Sequence, residues 1–153
     1  MNRIPVCRPA SGKDYDEFLA LLKQEASEYL ERSLELIGLT MWKFSKAIRT
    51  VGEVFRIECQ SRPAGYYWIE KRGNVLHIHG IVLRPEFQGM GIAGSIMTLL
   101  AENYRGEVDL IELGVHDSNV RARELYQKLG YNVVKRMDEV GFDIMQKRLA
   151  NPH

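Results

Sequence analysis

The sequence predicts an α/β fold of the α+β kind, a mixed, mostly antiparallel sheet of about seven strands flanked by about four helices. Three observations lead there. Apolar residues alternate with period two through three consecutive runs between Val54 and Leu83, the pattern of an antiparallel meander. A helical apolar face then separates Leu83 from the strand-like run Val108 to Val115, and such a crossover makes the two flanking strands parallel. Two last apolar runs, Tyr131 to Met137 and Phe142 to Leu149, face each other across a loop holding Gly141.

In chain order, Ile4 to Cys7 is short and apolar and closes at Arg8-Pro9, a first strand. From Asp14 to Glu31, Phe18, Leu19, Leu22, Ala26, Tyr29 and Leu30 recur at steps of three and four while Glu25, Glu28 and Glu31 face elsewhere, an amphipathic helix. A second helical segment spans Leu34 to Arg49, weakened by Gly38 and Thr40. The meander follows: Val54 to Cys59, a turn at Ser61 to Gly65, Tyr66 to Glu70, a turn at Arg72 to Asn74, and Val75 to Leu83. Ile92, Ala93, Ile96, Met97, Leu99 and Leu100 form the crossover helix. Ser118 to Leu129 is a further helix that Gly130 can end in a left-handed conformation.

The 153 residues suit a single domain, 1–153. With 45% hydrophobic and 27% charged residues the composition is that of a soluble globular protein, and no window holds the 18 or so apolar residues of a membrane helix. The opening MNRIPVCRPASGKDYDEF lacks the apolar core of a signal peptide, so a cytoplasmic location without membrane association is expected. The 21 basic and 20 acidic residues nearly cancel, which leaves no electrostatic footprint for nucleic acid. Cys7 and Cys59 have no partners at metal-ligand spacing and read as reduced thiols. No metal and no disulfide are assigned.

Gly89, Gly91 and Gly94 satisfy the dinucleotide pattern G-x-G-x-x-G after an apolar strand. Arg84 to Gln88 intervene, however, whereas a Rossmann fingerprint wants its first glycine at the strand end. Asp117 stands near the distance expected of a ribose-binding acid, but the single helix and two strands around and beyond it are too few for a doubly wound fold. No G-K-[ST] occurs either. What survives is the physics: backbone N–H groups at a helix start, partial positive charge from the dipole, and glycines that let an anion approach.

The run Leu83-x-Pro85-x-Phe87-Gln88-Gly89-Met90-Gly91-Ile92-Ala93 resembles the acetyl-CoA signature of the GNAT superfamily of N-acetyltransferases, whose core is [QR]-x-x-G-x-[GA]. A second stretch, Asn119 and then Ala122 to Tyr131 with Tyr126 before Gln-Lys-Leu-Gly-Tyr, resembles the family's next signature at the family's spacing. The element order is similar too, so the resemblance covers essentially the whole chain. It implies acetyl-CoA as cosubstrate, held between two splayed central parallel strands. Ile81, Val82 and Leu83 would offer backbone groups to pantetheine, and Gln88, Gly89, Met90, Gly91, Ile92, Ala93 and Gly94 would hold the pyrophosphate, with Asn119 reaching the pantetheine region. Gly80 suits either a bulge that helps the splay or close packing.

Acetyl transfer to an amine needs a neutral nucleophile, a polarised carbonyl and a proton for the thiolate. Strand alternation puts His77, His79, Ile81 and Leu83 on one face, the two imidazoles roughly 7 Å apart along the strand, either as a proton relay or as ordinary strand histidines. Their position relative to Gln88 resembles the His-x-His of arylalkylamine N-acetyltransferase, and His77 falls where the family's histone acetyltransferases carry a glutamate base. Tyr126 is either a packing aromatic or, by its place in the second signature, the family's proton donor. A strand N–H near Leu83 would polarise the carbonyl. His116 and Glu112 are reserve bases. Trp42, Tyr66, Tyr67 and Trp68 read as core or as walls of the acceptor site, and Glu25, Glu28, Glu31 and Glu35 as a solvated face or an attractor of cations.

The expected function is therefore acetyl-CoA-dependent N-acetyl transfer to a primary amine, by direct attack in a ternary complex. The acceptor is a small-molecule amine or a peptide amine. A protein N-terminal or lysine acetyltransferase and a non-catalytic acyl-CoA-binding regulator are the alternatives. Similar folds dimerise in several ways, so a homodimer is among the arrangements the resemblance implies.

Overall fold

The computed structural model describes residues 4–150, and the ends of the expected 1–153 domain lie outside the described residues. Seven strands form one sheet: β1 (Val6–Pro9), β2 (Glu53–Cys59), β3 (Arg62–Arg72), β4 (Val75–Leu83), β5 (Leu110–His116), β6 (Asn132–Met137) and β7 (Phe142–Arg148). Their order is β1-β2-β3-β4-β5-β7-β6, and β4 with β5 is the one parallel pair among them, as the crossover requires. On one face, helices α1 (Asp14–Glu25), α2 (Leu30–Leu36) and α3 (Met41–Thr50) accompany a core of Phe18, Ile48, Tyr66, Trp68 and Val82. On the other, α4 (Ile92–Tyr104) and α5 (Val120–Lys128) close over Ile57, Leu76, Ile111 and Met145.

Five helices replace the expected four because the segment Asp14 to Arg49 breaks twice. The first helix stops at Glu25, and residues 26–29 turn before α2 begins. The second break falls where Gly38 and Thr40 weaken the pattern. Gly38 takes a φ of 72°, and the Thr40 Oγ1 accepts the Lys43 N–H at 3.1 Å to cap α3. In the meander, Gln60 and Ser61 carry positive φ values of 56° and 61°, so the β2–β3 hairpin turns on those two residues instead of on Ser61 to Gly65. Pro63 then lies inside β3, beside a register shift at Ile57/Glu58 where a missing N–H is tolerated.

Two features of β4 position the site. Ile78 and Gly80 face consecutive residues of β3, Ile69 and Trp68, so His79 is the extra residue of a bulge. The bulge reverses side-chain parity: His77 and His79 lie on the α1–α3 face with Val82, while Ile81 and Leu83 pack into the opposite core. Simple alternation, which put all four on one face, is corrected by this one-residue insertion. Pairing of β4 with β5 runs from Val75↔Leu110 to Ile78↔Leu113 and ends there, although both strands continue, so they diverge at the bulge. A Cβ built on Gly80 meets nothing within 4 Å, which rules out close packing as its reason and leaves the bulge.

Candidate active site

The opening between β4 and β5 is flanked by two cavities. The first, about 620 Å³, runs from the end of β4 along the starts of α4 and α5. Ile81, Val82, Leu83, Gln88, Gly89, Gly91, Ile92, Ala93, Gly94 and Asn119 all line it. Met90 does not; the residue is 43% exposed. Gly91 is the N-cap of α4 at a φ of 81°, a conformation that costs any other L-residue, and no side chain caps the helix. The first-turn N–H groups of α4 are thus left for an outside acceptor.

Sequence reasoning missed Arg121. Its guanidinium Nη1 would stand 3.4 Å from a Cβ on Gly89, and it makes no hydrogen bond or ion pair with the described residues. No sequence signal marks it: with Asp117 four positions before and Glu124 three positions after, it reads as an ordinary helix surface charge. An uncommitted cation above a helix N-terminus suits phosphate. The Gln88 side chain, by contrast, is used internally: its amide donates to the Leu83 carbonyl at 3.0 Å and to Glu25 at 2.6 Å, tying the loop to the end of β4 and to α1.

The second cavity, about 470 Å³, lies beneath α1–α3. Phe18, Leu22, Leu34, Phe44 and Trp68 give it apolar walls, and His79, His116, Asn119, Tyr29 and Tyr126 supply polar edges. Glu25, Tyr29, Ile81, Val82, Asn119 and Tyr126 line both cavities and mark their junction. Tyr66 and Tyr67 line neither cavity, nor does Trp42, which is exposed.

Of the two adjacent imidazoles, His79 reaches the cavity and His77 lies behind it, the rings meeting edge to face at 4.5 Å. His79 also packs on Trp68 at 4.3 Å, and its Nε2 lies 2.8 Å from Glu70 Oε1. His77 Nδ1 lies 3.2 Å from Glu112, which also accepts from Gln146 at 2.7 Å. Burial holds both imidazoles below the ordinary histidine range against the opposing pull of these carboxylates, so both are neutral near pH 7. Glu112 is committed to His77 and lines neither cavity. His116 Nδ1 accepts the Ser118 backbone N–H at 3.1 Å and sits 2.8 Å from its hydroxyl, which leaves no free lone pair there for a base.

Tyr126 is 7% exposed, and its hydroxyl makes no hydrogen bond with the described residues. Burial first, and the neighbouring Tyr29 second, push it up to about 12, so it is a donor at any ordinary pH. Tyr29 stacks on His116 at 4.2 Å and meets Phe142 edge-on at 5.3 Å, which fastens the α1–α2 turn to the ends of β5 and β7. The periodicity that predicts Tyr29 on a helix face is thus overridden by two distant aromatic partners.

The family model for the GNAT acetyltransferase family matches residues 15–131. N-alpha-acetyltransferase 20 of Dictyostelium discoideum is 31% identical over 106 residues, 62% of this chain, and the match spans 60% of that relative's length. Among solved structures, the ribosomal-protein-S18-alanine N-acetyltransferase of Escherichia coli superposes with a TM-score of 0.71 at 16% identity, over 98% of this chain and 97% of that one. The PaiA N-acetyltransferase of Thermoplasma acidophilum, in complex with coenzyme A, gives a TM-score of 0.71 at 17% identity over 94% and 98%.

Proposed function

Because the chain belongs to the GNAT acetyltransferase family, a family of acetyl-CoA-dependent acyltransferases, we propose that it transfers an acetyl group from acetyl-CoA to a primary amine by direct attack. The observation that carries this reading is the junction, where an anion-receptive cleft and an apolar cavity meet at the divergence of β4 and β5. Gly89 to Gly94 and Arg121 would hold the phosphates of the cosubstrate. Ile81 to Leu83 and Asn119 would receive its pantetheine arm, and a β4 N–H past the bulge would polarise the acyl carbonyl. When bound, acetyl-CoA supplies a thioester whose carbon–sulfur bond is exchanged for a carbon–nitrogen bond.

The chain's own groups manage two protons. His79, neutral and in the acceptor cavity, takes one from the incoming ammonium and releases it to solvent. Tyr126, with a free hydroxyl at the junction, hands one to the leaving sulfur and regains one as the new amide nitrogen sheds its second proton. The apolar walls favour an acceptor whose amine is carried on an apolar body and disfavour a polycation, since Glu25, already engaged by Gln24 and Gln88, is the one carboxylate lining the cavity among the described residues. We place the protein in the cytoplasm, as the sequence predicts.

A second acceptor, the α-amine of a protein N-terminus, is favoured by the 31% identity to an N-alpha-acetyltransferase. A screen of apolar monoamines, polyamines and short peptides with acetyl-CoA, read by thiol release, tests the proposal. Turnover with apolar monoamines supports it, faster turnover of peptides shifts it to the second acceptor, and binding without turnover on any amine leaves an acyl-CoA-binding regulator.

A further inference from the structure

The bulge in β4 also brings a carboxylate to the His79 ring. Glu70 is the register partner of His77, yet its side chain reaches diagonally to the displaced His79, with Glu70 Oε1 2.8 Å from Nε2. The same oxygen accepts from Arg72 Nε at 2.9 Å and lies 2.8 Å from Arg72 Nη2. Glu70 lines neither cavity. We propose that Glu70 is the positioning residue for the base of the acetyl transfer: it fixes His79 as the Nε2–H tautomer and leaves the Nδ1 lone pair to take the proton.

An ionised carboxylate is an acceptor only, so the ring nitrogen bonded to it carries hydrogen and the other nitrogen is bare. Glu70 is held ionised by Arg72 first and His79 second. Arg72 is half exposed and Glu70 one-quarter exposed near the turn of the β3–β4 hairpin, so the pair connects the buried imidazole to solvent. In the step itself, the N–H bond of the acceptor ammonium breaks and a new one forms at His79 Nδ1. The imidazolium keeps its Nε2–H on Glu70 and later gives up the added proton. The other groups around the ring are His77 on its own strand, with Glu112 of β5 behind it, and Glu25, Tyr29, His116 and Tyr126 around the cavity. Among these described residues none hydrogen-bonds to a His79 nitrogen, so Glu70 sets the tautomer.

The inference rests on the proposed acetyl transfer, and two variants with two readouts separate them. Glu70→Gln can keep an oxygen on Nε2 but removes the charge that stabilises the imidazolium. Glu70→Leu removes the acceptor. Imidazole ¹⁵N shifts should show the Nε2–H tautomer in the native chain and in Glu70→Gln, and a tautomer mixture in Glu70→Leu. The histidine limb of turnover should move to lower pH in Glu70→Gln. Turnover should fall roughly 10²-fold at every pH in Glu70→Leu, the low end for a general base. Binding of acetyl-CoA should be unchanged in both. A native Nδ1–H tautomer, or turnover and limb unmoved in both variants, overturns the assignment, as does a loss of thermal stability with no kinetic change. If the native chain acetylates no amine, the activity falls and the tautomer measurement alone decides the role of Glu70.

Discussion

Tyr29 and His116 stack at 4.2 Å, joining the turn after α1 to the end of β5. Both residues line the second cavity, and Tyr29 lines the first as well. A stacked aromatic pair contributes about 0.5–1.5 kcal/mol beyond its buried area. Tyr29→Leu should therefore raise KM for the acceptor several-fold and shrink the thermal shift produced by acetyl-CoA, with a smaller change in kcat. Steady-state kinetics with each substrate varied in turn checks this, and an unchanged KM for both would show that the stack only closes the surface.

Gly91 holds a positive φ at the start of α4, and the space where a Cβ would stand is open. Gly91→Ala costs the backbone about 1–2 kcal/mol without any clash. Gly91→Phe adds a side chain where an anion would approach the helix N-terminus. Acetyl-CoA should raise Tm of the native chain, and NAD should not. The shift should survive in weakened form in Gly91→Ala and vanish in Gly91→Phe, as differential scanning fluorimetry would record. An equal shift from NAD would return the glycine turn to the dinucleotide reading.

Tyr126→Phe removes a hydroxyl that no group of the described protein satisfies, so stability should hold or rise slightly while turnover falls by roughly 10²- to 10⁴-fold. With the phenol pushed up to about 12, native turnover should show no descending limb from this group below about pH 11. A pH–rate profile that falls between about pH 9 and 10, and loses that fall in Tyr126→Phe, would place the phenol in a more polar setting than the structure gives it.

How much of this can be read in advance depends on how local each signal is. The glycine loop is legible because a helix start is written in a few adjacent residues, and ten of the eleven expected cofactor residues do line one cleft. The bulge at His79 is not, since an extra residue shows only when β4 is laid against β3. The break after Glu25 carries no glycine or proline. It is stabilised by Tyr29 meeting His116 and Phe142, partners 87 and 113 positions away in the chain. Arg121 and Glu70 look like ordinary surface charges until the fold sets one over Gly89 and the other against an imidazole.

Buried imidazoles also make the fold sensitive to acid. Both histidines titrate below their unfolded value near 6.5, so the unfolded chain binds more protons in the interval between the two values. Their contribution to stability is complete above about pH 6.5 and is lost as pH falls through the folded values. Urea midpoints measured from about pH 8 to pH 5 should decline below about 6.5, and the decline should flatten in His77→Gln, His79→Gln. A decline of equal size in that double variant would assign the acid sensitivity to carboxylates, such as buried Asp14 with its partners Arg8 and Arg56.

The two histidines should not be equivalent in catalysis. His79 lines the second cavity, whereas His77 reaches it only through the His79 ring and ends on Glu112. If His79 takes the proton, His79→Gln should lower turnover by roughly 10²-fold and erase the histidine limb. His77→Gln should cost only a few-fold and raise that limb slightly, because a neighbouring imidazole disfavours the charged form of its partner. The double variant should then behave like His79→Gln alone, since a residue acting through another adds nothing once that other is gone. Single variants of equal effect, with a double variant far worse than either, would mean instead that each imidazole can accept the proton and that the pair titrates as a unit. Turnover measured from about pH 5 to pH 9 for the four proteins, with acetyl-CoA saturating, distinguishes the two patterns.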